Sequence, residues 1–370
     1  MDDEDLETYE IKRSPQKCTP LIGSNLSHRL ARILKEERVA RVAIITDSGV
    51  PLHFVNGFYT SLRGMGMDSE VLTIDAGEAS KHVDNLPKDV KWLTSRGFGR
   101  KDYILGVGGG VVTDIAGALA AGLGRGAGLI SAPTTLLGMV DAGWGGKAGF
   151  DTDDGKNLYG AIYQPRWVVA DMDALQTLPD KAIRSGISEA IKTGVIRSDD
   201  LFEFIGRHAR QILEKNSEFL ERVVKECAKY KMLTVQQDPE EKLGVREDLN
   251  FGHTVAHGIE KVTGFKIDHG YAVSIGMIAE AEFARECGFN EQNRLRMALE
   301  AYGLPTTISR GLSIGEIIEA TKSDKKNVYS DGRKRVKCSL PIQIGEMHPL
   351  HSVIVEEDEM RRVLERMVEG

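Results

Sequence analysis

Short runs of β-branched and aliphatic residues, Val39–Thr46, Ser69–Ile74, Tyr103–Val107, Gly128–Ala132 and Trp167–Ala170, alternate with helix-length stretches through the first half of the chain. Strands buried on both faces read as continuous apolar runs, and parallel neighbours need crossovers long enough to hold a helix. The alternation predicts βαβ units and a mostly parallel sheet covered on both faces, a Rossmann-like α/β domain. After Leu178-Pro179-Asp180 the pattern changes. From Lys181 to about Thr321 the apolar spacing is helical, as in Leu201–Ile205 and Phe219–Cys227, which predicts a mainly α-helical second domain. Arg335–Ile344 reads as one or two small strands before a final amphipathic helix, Glu356–Val368. A chain of 370 residues is long enough for two cores. The expected domains are 1–179 and 180–370, with a site in the crevice between a nucleotide-type sheet and a helical domain.

Composition removes several classes of function. A net charge of −7 argues against a general nucleic-acid binder, so cations must be sought in local clusters. Cys18, Cys227, Cys287 and Cys338 are widely separated and form no CxxC, and read as free thiols in a reducing compartment. No apolar run approaches the roughly 18 residues of a membrane span, and the start Met1-Asp-Asp-Glu-Asp-Leu-Glu7 is acidic where a signal peptide is basic. The expectation is a cytoplasmic enzyme or binding protein with neither a nucleic-acid nor a membrane partner.

The chemistry-bearing stretches begin with Gly106-Val-Gly108-Gly109-Gly110-Val-Val-Thr-Asp114, which follows a predicted strand and opens a helix. Bare backbone N–H groups there can meet a pyrophosphate at a helix N-terminus, although glycines also serve plain turns. Upstream, Glu78 and Lys81 read either as a surface ion pair or as a carboxylate for ribose hydroxyls beside a cation. Pro133-Thr134-Thr135 leads into Asp141-Ala-Gly-Trp-Gly-Gly-Lys147-Ala-Gly149 and then Gly155-Lys156-Asn157. Glycines leave the Lys147 ammonium uncrowded, and the Lys156-Asn157 cation and amide suit a carboxylate or phosphate oxygen. We expect this run to be a ligand-contacting loop, with Arg125 between Gly124 and Gly126 reaching toward an anion.

The second half carries Asn250-Phe-Gly-His253-Thr-Val-Ala-His257, read as an amide and two imidazoles on successive turns of one helix, and then His269. Residues four apart leave the same helix face, which suits two metal ligands, or one ligand beside an acid/base, or simply two partly exposed histidines. Glu189 and Lys192 are helical neighbours at i and i+3, by default a solvated pair. Glu189 is nevertheless the best-placed residue to join His253 and His269, because a catalytic zinc site takes three N/O ligands and an open position. Lys231, Arg246 and the Asp324-Lys325-Lys326-Asn327 segment add cations suited to a small polyanion.

In this order the motifs GExxK at 77–81, GGGVVTDxxG at 108–117, PTTLL at 133–137, VDxxxGGKxG at 140–149, GKN at 155–157, YQP at 163–165, ExxK at 189–192, NFGHTxxH at 250–257 and HGxAV at 269–273 resemble the 3-dehydroquinate synthases of the sugar phosphate cyclase family. The resemblance covers roughly residues 40 to 345. It implies an NAD-binding α/β domain, a helical domain with a divalent metal (Zn2+ or Co2+), and a homodimer. Its implied metal ligands are Glu189, His253 and His269, with His257 an acid/base or phosphate-contacting group. The implied contacts to NAD are Asp47, Glu78, Lys81, Gly109, Gly110, Asp114, Thr134 and Thr135, with Lys156 nearby. The implied substrate residues are Asp141, Lys147, Asn157, Lys192, Lys231, Arg246, Asn250 and one or both of Lys325 and Lys326, with Arg125 crossing to the neighbouring chain's site. The implied reaction makes 3-dehydroquinate and phosphate from 3-deoxy-D-arabino-heptulosonate 7-phosphate, a step of the shikimate pathway to aromatic amino acids.

The chain departs from the common pattern at Gly49, Ala142-Gly143-Trp144, Ala148 and Tyr271. Trp144, beside Gly145-Gly146-Lys147, is expected to narrow the pocket. Two rivals stay open: a cyclase for a neutral sugar phosphate (2-deoxy-scyllo-inosose or 2-epi-5-epi-valiolone synthase type), and a metal-dependent NAD(P) polyol or glycerol phosphate dehydrogenase. The gathered cations favour an acidic substrate over the first, because buried cations without a matching anion are costly to desolvate.

Overall fold

The structure is a computed structural model that describes residues 18–239, 241–322, 327–330 and 333–369. The described residues form two compact units, one from those up to Pro179 together with Leu220–Glu240, the other from Asp180–Phe219 and those from Glu241 onward. The first unit thus takes most of one helix from the stretch that the sequence assigns to the second domain.

The elements of the first unit are β1 (Thr19–Gly23), α1 (Leu26–Glu36), β2 (Arg41–Asp47), α2 (Leu52–Gly64), β3 (Asp68–Ile74), α3 (Leu86–Ser95), β4 (Tyr103–Gly108), α4 (Gly110–Gly122), β5 (Gly128–Pro133), α5 (Leu136–Val140), β6 (Lys147–Thr152), β7 (Gly155–Ile162), β8 (Trp167–Asp171) and α6 (Asp173–Gln176). Six of these strands form a sheet in the order β1-β8-β5-β4-β2-β3, with every neighbouring pair parallel. Strand β2 shows why the layers form. Val42 and Ile44 pack with Leu30, Leu34, Phe58 and Leu62 of α1 and α2, while Ala43 and Ile45 pack with Leu93, Ile115 and Leu119 of α3 and α4. The period-two alternation of a strand sends successive apolar side chains to opposite cores. The order reverses between β2 and β4, whose carboxyl ends carry Asp47 and Gly108, the place where an open α/β sheet takes its ligand.

The sequence pattern overlooks β1, a five-residue strand containing Pro20 and Gly23. It sits at the sheet edge, where a proline removes no ladder bond that a second neighbour would need. The glycine-rich run read as a loop is an antiparallel hairpin of β6 and β7. A side chain at Gly160 would lie 2.0 Å from the Ala148 carbonyl, so that glycine permits strand approach.

In the second unit the elements are α7 (Asp180–Arg197), α8 (Asp199–Arg207), α9 (Ala209–Leu213), α10 (Ser217–Gln237, mostly in the first unit), α11 (His253–Val262), α12 (His269–Phe283), α13 (Gln292–Glu300), α14 (Ile314–Thr321), β9 (Val328–Ser330), β10 (Arg333–Cys338), β11 (Pro341–Gln343), β12 (Glu346–Met347), β13 (Val353–Val355) and α15 (Glu357–Arg366). Helix α12 is buried almost all round, as a central helix must be, and packs against α7, α11, α13 and α15. The helix crossings depend on absent side chains. A Cβ at Gly276 of α12 would fall 1.9 Å from the Gly252 carbonyl before α11, and one at Gly270 would fall 2.2 Å from the Ser185 carbonyl of α7. Among the described residues no helix is long and apolar enough to cross a membrane.

Candidate active site

Helices α7, α11 and α12 bring Glu189, His253 and His269 together, with one possible ligand atom from each lying within 4.8 Å of the others. Glu189 Oε1 is 3.4 Å from Nε2 of His253 and 3.3 Å from Nε2 of His269. The second ring nitrogens settle what those atoms offer. Nδ1 of His253 faces the Phe251 carbonyl at 3.2 Å, and Nδ1 of His269 faces Glu260 Oε1 at 3.0 Å. Carbonyl and carboxylate oxygens only accept, so each Nδ1 carries a proton, and each Nε2 is left to face Glu189 or, once any proton there is displaced, a cation. Both Glu189 oxygens are buried without a hydrogen bond of good geometry. Three converging electron-pair donors in a buried place fit a divalent cation.

The charges agree with that reading. Burial alone would raise the Glu189 carboxyl, but Lys192 and the two imidazoles hold it well below the carboxylate range. Burial, reinforced by Lys192, pushes His253 well down. Burial also opposes charge on His269, yet Glu189 and Glu260 outweigh it and push the group up to about 10. A cation bound at Nε2 must displace the proton His269 carries below that pH. Metal affinity is therefore expected to rise about tenfold per pH unit through the neutral range, with about one proton released per metal. Titration calorimetry in buffers of different ionisation enthalpy checks this, and a pH-independent affinity would contradict it.

Two carboxylates that the sequence reading did not single out, partly buried Glu260 and fully buried Glu280, support these ligands. Glu260 lies on α11 seven residues after His253, a helical spacing that could have revealed it, and it receives the His269 Nδ1–H. Glu280 of α12 accepts from the backbone N–H groups of Gly252, Thr254 and Val255 at 2.8, 2.9 and 3.3 Å, which caps the turn that starts with His253. Glu260→Gln is expected to weaken metal binding by about 10–100-fold with little change in fold. Competition against a coloured chelator, beside a circular dichroism melt, measures both.

Of the other predicted residues of this unit, Lys192 and His257 lie beside the cluster. Lys192 is buried and contacts Glu189 rather than forming the solvated pair expected by default. The rings of His253 and His257 stand 5.5 Å apart and nearly perpendicular, with His257 outside the three-ligand group. Asn250 does not share their helix. It ends a 3-10 turn, Val245–Asn250, that also carries buried Arg246, and the chain breaks at Gly252 with φ of +80° before α11 begins. Glycine is the residue that adopts this left-handed break without steric cost. Tyr271 lies under the Lys181 ammonium, 5.8 Å from the ring centre, and Lys181 in turn pairs with Asp268 at 2.8 Å. Lys325 and Lys326 lie outside the described residues.

In the first unit, the sheet's reversal point gathers a second group. Gly109 precedes α4 and Gly110 starts it, while a Cβ at Gly108 would fall 2.5 Å from Val112, so bare backbone is what lets the helix begin there. The Thr134 N–H donates to the Gly108 carbonyl at 2.9 Å, and the Thr135 hydroxyl accepts from Gly138 as the cap of α5. Asp47 accepts from the Gly49 N–H at 2.7 Å, a tight turn that the departure at position 49 suits. Glu78 and Lys81 share the 3-10 turn Glu78–Lys81 without pairing as expected. Glu78 meets Lys156 at 3.2 Å, and buried Lys81 contacts both Asp114, at 2.5 Å, and Asn157. Burial pushes the Asp114 carboxyl up against the opposing pull of Lys81. Asp141 pairs with Lys231 of α10. Lys147 opens β6, and Arg125 sits in the turn after α4 with φ of +63°. Trp144 is buried with its indole N–H on the Met139 carbonyl.

Residues 71–185 match the family described as 3-dehydroquinate synthase N-terminal, and residues 186–327 match 3-dehydroquinate synthase C-terminal. The chain is 38% identical over 319 residues to the 3-dehydroquinate synthase of Sulfolobus acidocaldarius, covering 85% of this chain and 87% of that one. It is 37% identical over 345 residues to that of Desulforamulus reducens, covering 92% and 95%. In fold it is similar to 2-deoxy-scyllo-inosose synthase complexed with carbaglucose-6-phosphate, NAD+ and Co2+, with a TM-score of 0.88 at 24% identity over 98% of this chain and 100% of that one. It is similar also to 2-epi-5-epi-valiolone synthase from Streptomyces hygroscopicus with NAD+ and Zn2+ bound, with a TM-score of 0.83 at 24% identity over 98% and 99%.

Proposed function

The chain belongs to the 3-dehydroquinate synthase family, and from that premise we propose that it converts 3-deoxy-D-arabino-heptulosonate 7-phosphate into 3-dehydroquinate and phosphate, using NAD and a divalent metal. The observation that carries this reading is the meeting of Glu189, His253 and His269 in a unit that also buries the cations Lys192 and Arg246. Lys192 already meets Glu189, and Arg246 faces Glu241 at 3.8 Å, so the cations are held in place for a substrate that brings a carboxylate and a phosphate.

Glu189, His253 and His269 would hold the metal. Asp47, Glu78, Lys81, Gly109, Gly110, Asp114, Thr134, Thr135 and Lys156 would hold NAD. When bound, NAD would take and return a hydride at C5, and the metal would acidify the sugar hydroxyls and polarise the carbonyl. Asp141, Lys147, Asn157, Lys192, Lys231, Arg246 and Asn250 orient the substrate, and their cations hold the charge of the phosphate as it leaves C7. His257, whose ring stands 5.5 Å from that of His253, would move a proton during that elimination. Return of the hydride, ring opening and intramolecular aldol closure would complete the conversion. Incubation with the heptulosonate 7-phosphate, catalytic NAD and Zn2+ or Co2+ is expected to release phosphate and dehydroquinate in equal amounts. Phosphate released only from a neutral sugar phosphate would overturn the substrate assignment, and net NADH accumulation would indicate a dehydrogenase.

A homodimer accords with the exposed apolar residues of the hairpin. Leu158, Tyr159 and Ile162 on β7 are 51, 54 and 47% exposed, a strand edge that soluble proteins usually cover or charge. The Tyr163 hydroxyl donates to the Ala127 carbonyl at 2.6 Å and ties the end of β7 to the turn that bears Arg125. Pairing through β7 would carry Arg125 toward the second copy's site. Sedimentation is expected to show a two-chain species that Tyr159→Lys with Ile162→Lys splits into monomers. A monomeric starting protein would remove this assembly.

A further inference from the structure

Arg246 and Asn250 stand on a six-residue 3-10 turn bounded by two left-handed glycines, Gly244 and Gly252, each with φ of +80°. Hydrogen bonds in such a turn have poor geometry, so a short piece of this kind does not orient itself. Two acidic side chains between Arg246 and Asn250 orient it instead. Asp248 is buried. Its Oδ2 accepts from the Arg197 guanidinium of α7 at 2.8 Å, and its Oδ1 lies 3.0 Å from Nδ1 of His351. Glu247 receives the Ser339 hydroxyl at its carbonyl, 2.6 Å, and the Ser352 hydroxyl at its carboxylate, 2.5 Å. The turn before β13 is itself shaped for this contact. His351 holds φ of +60°, uncommon for a residue with a side chain, and its N–H and that of Leu350 both donate to His348, at 2.9 Å to the carbonyl and 3.2 Å to Nδ1.

Arg197 adds the functional consequence. It lies eight residues, about two helical turns, beyond Glu189 on α7. The Arg197 to Asp248 pair therefore ties the turn carrying Arg246 and Asn250 to the helix carrying a metal-ligand candidate. We infer that Asp248, gripped by Arg197 and His351, is a positioning clamp that fixes the anion-binding turn relative to the metal cluster without touching substrate. The inference rests on the reading that Arg246 and Asn250 hold the phosphate-bearing substrate. A substrate held at its metal end and at its phosphate end needs both grips in register, and misplacement of about 1 Å is enough to lose orientation.

The test uses the full chain loaded with NAD and metal, with inorganic phosphate as a competing probe. Asp248→Asn keeps the shape and removes the charge. It is expected to raise KM and the phosphate inhibition constant together by about tenfold, with metal content per chain unchanged. His351→Ala, at a partly exposed position, should move both constants the same way by about threefold, and His351→Asn, which tolerates the left-handed backbone and offers an N–H donor, should recover most of the loss. If Asp248→Asn does not fold, the His351 pair decides. Both constants staying at the parent values while the unfolding midpoint falls would reduce the clamp to a structural contact and overturn the inference. Arg246→Gln is measured in parallel. If it leaves phosphate inhibition unchanged, the underlying substrate reading fails and takes the clamp with it.

Discussion

A His253→Ala protein is expected to leave purification without a divalent metal and without cyclase activity. The substitution removes one of three converging electron-pair donors, and two ligands do not make the three-point site that a catalytic cation needs. The loss of charge stabilisation is several kcal/mol, on the order of a thousandfold in rate. His257→Ala is the necessary contrast, since that ring lies beside His253 but outside the ligand group. It should retain metal while losing about 10²–10⁴-fold in rate as an acid/base. Elemental analysis with steady-state kinetics separates the two. Full metal content in the His253→Ala protein would remove the ligand assignment.

Gly276→Ala is expected to be the most damaging single-methyl change in the second unit. Its Cβ would lie 1.9 Å from the Gly252 carbonyl and 3.1 Å from the Ala256 amide nitrogen, so the obstacle is backbone on both counts. Relief requires α12 to move away from the start of α11, which separates His269 from His253. Overpacking against backbone should cost about 3 kcal/mol or more, and the metal site should weaken with it. Gly206→Ala on α8 is the control, because nothing lies within 4 Å of its Cβ position, and alanine in a helix there should be neutral or stabilise by roughly 0.5–1 kcal/mol. Denaturant unfolding of both, with metal titration, gives the answer. Equal stability of the two variants would show that the helices cross with room to spare.

The same contacts explain which features could be read before folding. The run Val42–Ile45 announces a strand covered on both faces, because strand periodicity is local. Strand β1 does not announce itself, since Thr19–Gly23 becomes a strand only by pairing with β8 at the far end of the unit. The glycines of the β6 and β7 hairpin resemble those of a ligand loop, and only the pairing of Gly149 with Gly160 shows that they let two strands meet. At the metal cluster, the i, i+4 spacing of His253 and His257 suggests two ligands. The alternative reading, in which Glu189 joins His253 and His269 from the next helix, is the one whose residues folding brings together. Glu260 and Glu280 went unnoticed because a carboxylate on a helix reads as solvated until its buried face is known.

The sequence by itself determined the parallel α/β unit, the helical unit and the ordered motifs that place the chain in its family, because these depend on hydrophobic period and on residues close together in the chain. Only the tertiary structure decided which carboxylates lie under the histidines, that Glu78 and Lys81 take separate partners, that Trp144 is a core side chain and that Asp248 anchors the turn bearing Arg246. Those outcomes depend on backbone approach between elements far apart in sequence, set by where glycines at 252, 270 and 276 allow the helices to touch, and no local pattern encodes the distances at which distant helices meet.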